Sequence, residues 1–141
     1  MRGHTLLELV TVLTLFGVTA SAVAPTTRRM RDRAAVSAAR EALVGLLAEA
    51  RAHAMRAGGA SVTISAGPWR AVAATPDTLL RAVELERDLQ VAVDLGAGRT
   101  SAVLRYDGLG LGRVASQTIE FSRGDATAAL VVSSFGRVRR R

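Results

Sequence analysis

The sequence contains no cysteine and no lysine, and aromatic residues make up only 4% of its 141 positions. The absence of cysteine excludes a disulfide scaffold and any zinc or redox site built on thiolates. The absence of lysine fits a GC-rich coding bias and excludes no class of function. With so few aromatic residues, the core is expected to consist of Val, Leu, Ile and Ala. The two histidines, His4 and His53, leave few candidates for a catalytic site, so we expect no enzyme, no cofactor and no bound metal.

A 19-residue stretch from Leu6 to Ala24 contains a single charged residue, Glu8. As a helix it would be about 28 Å long, close to the thickness of a bilayer's hydrocarbon core. Three interpretations compete: a secretory signal peptide cleaved after Ala22-Val23-Ala24, a plain membrane anchor, and a segment that moves between a bilayer and a protein assembly. Glu8 and Pro25 disfavour the signal peptide, because a carboxylate costs a few kcal/mol in lipid unless it is paired and because proline is unfavourable directly after a cleaved bond. In an anchor, Glu8 could be solvated at the interface.

The residues Gly3-His4-Thr5-Leu6-Leu7-Glu8 resemble the processing motif of type IV prepilins and pseudopilins. The resemblance implies that residues 1–3 are a leader and that a prepilin peptidase cleaves between Gly3 and His4. It also implies that the new amine of His4 is methylated and that Glu8 is the glutamate used in assembly. His4 departs from the family pattern, which usually has phenylalanine at this position.

Charge pairing gives Glu8 a physical role in such an assembly. After cleavage, His4 would carry a free ammonium group, and Glu8 of a neighbouring subunit could lie against it. Each charge would then offset the burial cost of the other, whereas an unpaired partner would be penalised by several kcal/mol. The pair would set the axial register of the subunits. We also expect threonines in the apolar stretch to bond back to their own helix.

From Thr26 the sequence becomes amphipathic, and together with the apolar stretch it predicts one long helix over residues 4–57. We expect this helix to be kinked or frayed near Pro25 and to end at Gly58-Gly59. It divides into a transmembrane and assembly part, 4–25, and an amphipathic stalk, 26–57. The apolar residues of the stalk recur at spacings of three and four, through Val36, Ala39, Leu43, Leu46, Leu47, Ala50 and Ala54.

After Gly59 the hydrophobic pattern changes from helical to alternating, which predicts an antiparallel β domain over residues 58–141. We expect six to seven strands, separated by turns rich in glycine. Thr78 to Arg87 fits a short helix, or a loop with an edge strand. The clearest strand candidates are 61–65, 69–73, 91–95, 102–106, 118–122 and 128–132.

Several segments of the chain resemble the GspH/FimT class of minor pseudopilins. They are Ala50–Ala54, Val62–Ile64, Trp69, Leu104–Gly110 and Leu130–Val138. The resemblance implies a pilin-like α+β fold, in which a long N-terminal helix packs on a small antiparallel β domain. It further implies a structural subunit of a type II secretion or type IV pilus machine that helps to initiate or cap a filament. The expected location is the inner membrane, with a single pass and the C-terminal domain in the periplasm or outside. The expected partners are other minor and major pseudopilins or pilins, the prepilin peptidase and methyltransferase, and the inner-membrane assembly platform.

The chain ends with Gly136-Arg137-Val138-Arg139-Arg140-Arg141. On a strand, Arg137 and Arg139 would share one face, about 6–7 Å apart, which suits two phosphates of a nucleic-acid backbone. In the fimbrial branch of the class, a Gly-Arg-x-Arg element at this place is associated with DNA uptake. The alternative function is therefore a minor pilin that binds duplex DNA in natural transformation. Its candidate residues are Arg137, Arg139, Arg140 and Arg141, and Arg113 and Arg123 would widen the patch if the fold brought them near. A solvated basic tail, or one that touches anionic lipid, is the other interpretation.

Three further features are expected to be structural. His53 is interpreted as a surface or interface residue of the stalk, and Trp69 as a core or strand-face aromatic. The acidic residues between positions 77 and 94 match no calcium-binding loop and are interpreted as a solvated face.

Overall fold

The fold begins with one very long helix, α1, which spans Leu6–Ala57 in a computed structural model that describes residues 5–113 and 116–141. Its 52 residues correspond to about 78 Å at 1.5 Å per residue. Thr5 is the N-cap residue, and Gly58 ends the helix in the left-handed conformation with φ +79°. Glycine adopts this conformation without a Cβ penalty. The observed helix end at Gly58 confirms the predicted stop.

Pro25 lies within α1, and the helical backbone is uninterrupted there. The expected fraying at this position is therefore not observed, although proline lacks the N–H that an interior helix position normally donates.

Within the described residues, eight strands and a second short helix follow α1. The structure thus has more strands than the six to seven expected. For residues 78–87 the sequence fitted either a short helix or a loop with an edge strand. The structure has an edge strand over Leu79–Glu84, followed by a short helix that begins at Leu85. The elements are β1 Gly59–Ser65, β2 Arg70–Ala74, β3 Leu79–Glu84, α2 Leu85–Leu89, β4 Ala92–Asp94, β5 Ser101–Asp107, β6 Gln117–Arg123, β7 Ala126–Val132 and β8 Val138–Arg140.

The strands form two antiparallel sheets of four strands each, with the orders β3-β2-β1-β5 and β4-β6-β7-β8. Strand β1 pairs with β5 across its whole length, from Gly59 opposite Asp107 to Ser65 opposite Ser101. The stalk part of α1 packs against both sheets, through β1 in the first and through β6 and β7 in the second. One helix therefore covers both sheets and joins them into one α+β unit.

The apolar stripe of the stalk lies in the core, as predicted. Its seven residues are at most 2% exposed. Side chains of β1 alternate between buried and partly buried, and Ala60, Val62 and Ile64 lie in the core. Phe121 of β6 is fully buried in the same core. The core is aliphatic apart from Phe121 and Tyr106, in line with the low aromatic content.

No helix within residues 5–113 and 116–141 is long and apolar enough to cross a membrane. The membrane segment expected over residues 4–25 lies partly outside the described part of the chain, which leaves out residue 4 and the side chains of 19–25. The cleavage and methylation residues Gly3 and His4 also lie outside the described residues.

Candidate functional site

The first turns of α1 expose apolar side chains on every side of the helix. We call Leu6–Val18 the apolar arm. Its large residues range in exposure from 47% for Val12 to 81% for Leu6. A soluble helix normally hides one apolar stripe and presents a polar face to water. The apolar arm has no such division, so its surface suits lipid or the apolar helices of other subunits.

Short-range hydrogen bonds satisfy the two threonine hydroxyls of the apolar arm. The Thr11 hydroxyl donates to the Leu7 carbonyl at 2.7 Å. The Thr14 hydroxyl donates to the carbonyls of Val10 at 3.0 Å and Thr11 at 2.8 Å. These three bonds confirm the expected back-bonding, and each of the two hydroxyls has an acceptor within its own helix. The apolar arm can thus be buried among apolar partners at little cost from these threonines.

Glu8 lies in the first turn of α1. Its backbone N–H donates to the Thr5 carbonyl at 3.0 Å and, at the longer distance of 3.4 Å, to the Thr5 hydroxyl. The amino end of a helix carries a partial positive charge, so a carboxylate is favoured in this turn. The predicted role of Glu8 in pairing with a neighbouring subunit stays a prediction.

The C-terminal arginines lie at the end of a β-hairpin. Strand β8 pairs with β7, and Arg139 lies opposite Val131. Arg141 extends the ladder through two backbone hydrogen bonds to Ala129, at 2.9 and 3.1 Å. Arg137 precedes β8 and belongs to the connecting loop, where its N–H donates to the Ser133 hydroxyl. Arg137 and Arg139 are both exposed. The sequence suggested that both lie on one strand, but only Arg139 lies within β8.

Arg140 forms a bidentate ion pair with Glu41 of the stalk. The distances are 2.8 Å from Nε to Oε1 and 2.9 Å to Oε2 from the second guanidinium nitrogen. This hydrogen bonding lowers the pKa of Glu41 and raises the pKa of Arg140. The pair joins residues 99 positions apart and attaches the end of the chain to α1. Glu41 therefore neutralises much of the positive charge that Arg140 would otherwise offer to a phosphate.

The two arginines expected to widen a basic patch are engaged elsewhere. Arg113 lies 3.1 Å from Asp107, whose carboxylate also accepts the backbone N–H groups of Leu109 and Leu111. The Leu111 N–H in particular holds the pKa of Asp107 below its usual value, with Arg113 adding to the effect. Arg123 lies 3.0 Å from Asp32 on the stalk. Neither guanidinium is left without a carboxylate partner.

The structure explains why the Gly-Arg-x-Arg element begins with glycine, which the sequence alone did not show. Gly136 has φ +78°, and a Cβ added there would lie 2.8 Å from Cε1 of the buried Tyr106 and 3.2 Å from Gly112. Gly112 in turn donates its N–H to the Phe135 carbonyl at 3.1 Å. Two of the segments that carry the family resemblance, Leu104–Gly110 and Leu130–Val138, thus meet at this glycine junction through Tyr106 and Gly136, and the junction positions Arg137.

Substituting Gly136 with alanine is expected to lower the free energy of unfolding by about 2–4 kcal/mol. The left-handed conformation costs a residue with a Cβ about 1–2 kcal/mol, and overpacking against Tyr106 adds about 1–3 kcal/mol. Urea unfolding of a fragment covering residues 28–141 measures the change. Gly45→Ala is the matched control: nothing lies within 4 Å of an added Cβ in α1, so it should stabilise by about 0.5–1 kcal/mol. Equal stability of Gly136→Ala and wild type would contradict the packing described here.

An apolar groove of about 510 Å³ lies beside the glycine junction, between the stalk and the loop before β8. Its lining includes the apolar residues Leu47 and Leu111 and the basic residues Arg51 and Arg137. Phe135 also lines the groove and is 73% exposed. This surface is open to contact with another protein.

The structure also shows the positions of His53 and Trp69, which the sequence predicted to be structural. His53 is half-buried on the stalk. Trp69 is partly buried and packs against the core, as expected. Its carbonyl accepts N–H groups of Leu85 and Glu86 at the start of α2. Within the described residues, no three His, Asp or Glu side chains are grouped as a metal site requires.

The sequence of the chain matches the model of a known protein family. A family model described as type II transport protein GspH matches residues 39–136, which is more than half of the chain. No curated protein and no solved structure shows a significant match. The matched region extends from the buried stripe of the stalk to Gly136. The chain therefore belongs to the GspH family of type II transport proteins, the minor pseudopilin class that its sequence motifs indicate.

Proposed function

We propose that this protein is a minor pseudopilin of a type II secretion machine, anchored in the inner membrane, which helps to initiate or cap the filament. The observation that carries the proposal is the apolar arm, whose large side chains are 47–81% exposed on a helix whose stalk packs on the β domain from Ala35 onward. An exposed apolar surface of this size needs an apolar partner. Lipid supplies it before assembly, and the corresponding helices of neighbouring subunits supply it in the filament.

In this proposal residues 4–25 cross the membrane, and the stalk and β domain lie in the periplasm. The prepilin peptidase and methyltransferase removes residues 1–3 and methylates His4. The inner-membrane assembly platform then transfers the subunit into the filament. Glu8 pairs with the terminal ammonium of a neighbour, and the groove at Phe135 contacts another pseudopilin. The role is structural and involves no catalysis by this chain.

Deletion of the gene tests whether the protein acts in secretion or in DNA uptake. A secretion subunit predicts that exported proteins remain in the periplasm after deletion, while the transformation frequency is unchanged. Both quantities are measured in the same strain, with the wild-type gene restored on a plasmid as the control. Loss of transformation with normal secretion would contradict the secretion role and favour the alternative below.

The second candidate function is binding of duplex DNA in natural transformation. The observation that favours it is the hairpin end, where Arg137, Arg139 and Arg141 are all exposed. Planar guanidinium groups bind phosphates through paired hydrogen bonds. The ion pair between Arg140 and Glu41 makes Arg140 a weaker contributor than the other three.

The salt dependence of binding tests this candidate. DNA affinity of the 28–141 fragment is expected to be micromolar or poorer and to fall with salt at a log–log slope of about −2 to −4, because each neutralised phosphate contributes about −0.9. Arg137→Gln with Arg139→Gln should flatten the slope by about two. Arg140→Gln should change it less, and Glu41→Gln, which frees Arg140, should steepen it by up to about one. Absence of salt-dependent binding at low ionic strength would show that these arginines are a solvated tail.

A further inference from the structure

A second basic surface lies where the stalk begins. A cavity of about 500 Å³ separates α1 from the turn between β6 and β7, and we call it the basal cleft. Its lining comprises Arg28, Arg29, Asp32 and Arg33 of α1 and Gly124, Asp125 and Ala126 of the turn. Three arginines thus line one concave surface. The C-terminal arginines form no part of this lining.

The charges of the basal cleft are not balanced within the protein. Asp32 is 3.0 Å from Arg123, and the two side chains are only 13% and 22% exposed. Arg123 is further held by the Leu89 carbonyl at 2.7 Å. Among the described residues, no ion pair engages Arg28, Arg29 or Arg33. Asp125 is then the one remaining carboxylate facing three guanidinium groups, so the cleft has an excess of positive charge.

The turn that forms the far wall approaches the helix closely because of Gly124. This residue has φ +55°, and an added Cβ would lie 2.9 Å from Oδ2 of Asp32. The ion pair between Asp32 and Arg123 holds the turn against α1 at this point. The cleft is therefore a formed concavity with two walls, and its basic side is the helix.

The position of these arginines along α1 matches the headgroup layer of a bilayer. If the hydrocarbon core begins at Leu6, its thickness of about 30 Å takes up roughly 20 residues of helix and ends near residue 26. The headgroup layer of about 5–7 Å covers the next three to five residues. Arg28 and Arg29 fall within it, and Arg33 lies about one helical turn beyond, where a long arginine side chain reaches back.

We infer that the basal cleft binds the phosphate of an anionic phospholipid headgroup at the membrane surface from which the domain emerges. The inference rests on the proposed membrane insertion of residues 4–25. Guanidinium groups offer paired donors that fit phosphate oxygens. The bound lipid sets the depth and tilt at which the β domain leaves the bilayer. Release of this lipid then accompanies extraction of the subunit into the filament.

Lipid competition on the full chain tests the inference. The protein is purified in a neutral detergent and offered equal amounts of phosphatidylglycerol and phosphatidylcholine, and the lipids retained are counted by native mass spectrometry. An arginine near an anionic surface favours binding about fivefold, so three should favour phosphatidylglycerol on the order of 100-fold. The variant Arg28→Gln/Arg29→Gln/Arg33→Gln should bring the ratio close to one. Raising the salt concentration should lower the wild-type ratio without any mutation.

A matched variant controls for the loss of three charges. Arg56→Gln/Arg87→Gln/Arg99→Gln removes three exposed arginines outside the cleft and should keep the wild-type preference. An equal preference in wild type and the cleft variant overturns the inference. So does displacement of phosphatidylglycerol by duplex DNA together with loss of DNA affinity in the cleft variant, since the cleft would then be a nucleic-acid site.

Vesicle insertion distinguishes failure of the inference from failure of the proposed function. Full chain that enters neither phosphatidylcholine nor phosphatidylglycerol vesicles contradicts membrane anchoring, and the inference falls with it. Full chain that enters both kinds of vesicle without preferring phosphatidylglycerol in the competition overturns the lipid site alone.

Discussion

Replacing Gly3 with valine is expected to leave the protein as a full-length precursor in the inner membrane. The prepilin motif places the cleaved bond directly after Gly3, and the peptidase requires a small residue there. Valine adds a branched side chain at the scissile bond while the apolar stretch from Leu6 to Ala24 is unchanged. Membrane insertion should therefore persist and processing should be lost. Mass spectrometry of the membrane fraction measures the N-terminus, expected at His4 in the wild type and at Met1 or Arg2 in the variant.

Gly17→Val is the matched control for this experiment. It introduces the same side chain into the apolar stretch, where nothing lies within 4 Å of an added Cβ. Its processing should equal that of the wild type. A mature N-terminus at Pro25 in the wild type would establish a conventional signal peptide and refute the prepilin interpretation.

Replacing Glu8 with alanine is expected to give a protein that is processed and inserted but absent from the filament. In the proposed assembly, the carboxylate of Glu8 lies against the ammonium of a neighbouring subunit among apolar helices. Removing one partner of a buried pair costs about 3–5 kcal/mol, which is a factor of more than one hundred in occupancy. Glu8→Gln should fail in the same way, because it preserves the size of the side chain without its charge.

Filaments sheared from cells and probed for this subunit measure its incorporation. Thr14→Val serves as the control, since Thr14 bonds only to carbonyls of its own helix in the described contacts. It should be incorporated normally. Wild-type incorporation of Glu8→Ala would show that the charge pair is dispensable and would remove the assembly role from Glu8.

The stalk could be predicted from sequence because its pattern is local. Val36, Leu43 and Leu47 recur at helical spacing, and each is buried where that spacing places it. The stop at Gly58 is local as well, since the left-handed conformation is a property of one residue. The inner strands were found for the same reason: β1 and β6 alternate clearly between buried and less buried residues.

Two of the edge strands, β3 and β8, were harder to predict because they lack a buried face to mark them. Strand β3 has no fully buried residue, and its sequence fitted a helix equally well. Strand β8 has three residues, two of them arginine, so its apolar signal is almost absent. Pairing with β7, rather than intrinsic propensity, makes it a strand.

By itself, the sequence determined the elements whose pattern repeats within a few residues: the long helix, its end and the alternating inner strands. The prepilin motif and the family resemblance belong to the same class of local information. Only the tertiary structure decided which charges meet. Glu41 binds Arg140, 99 positions away, and Asp32 binds Arg123, so these arginines are engaged while those of the basal cleft are not. Side chains far apart along the chain interact according to the packing of the helix on two sheets, and no periodicity in the sequence encodes that contact.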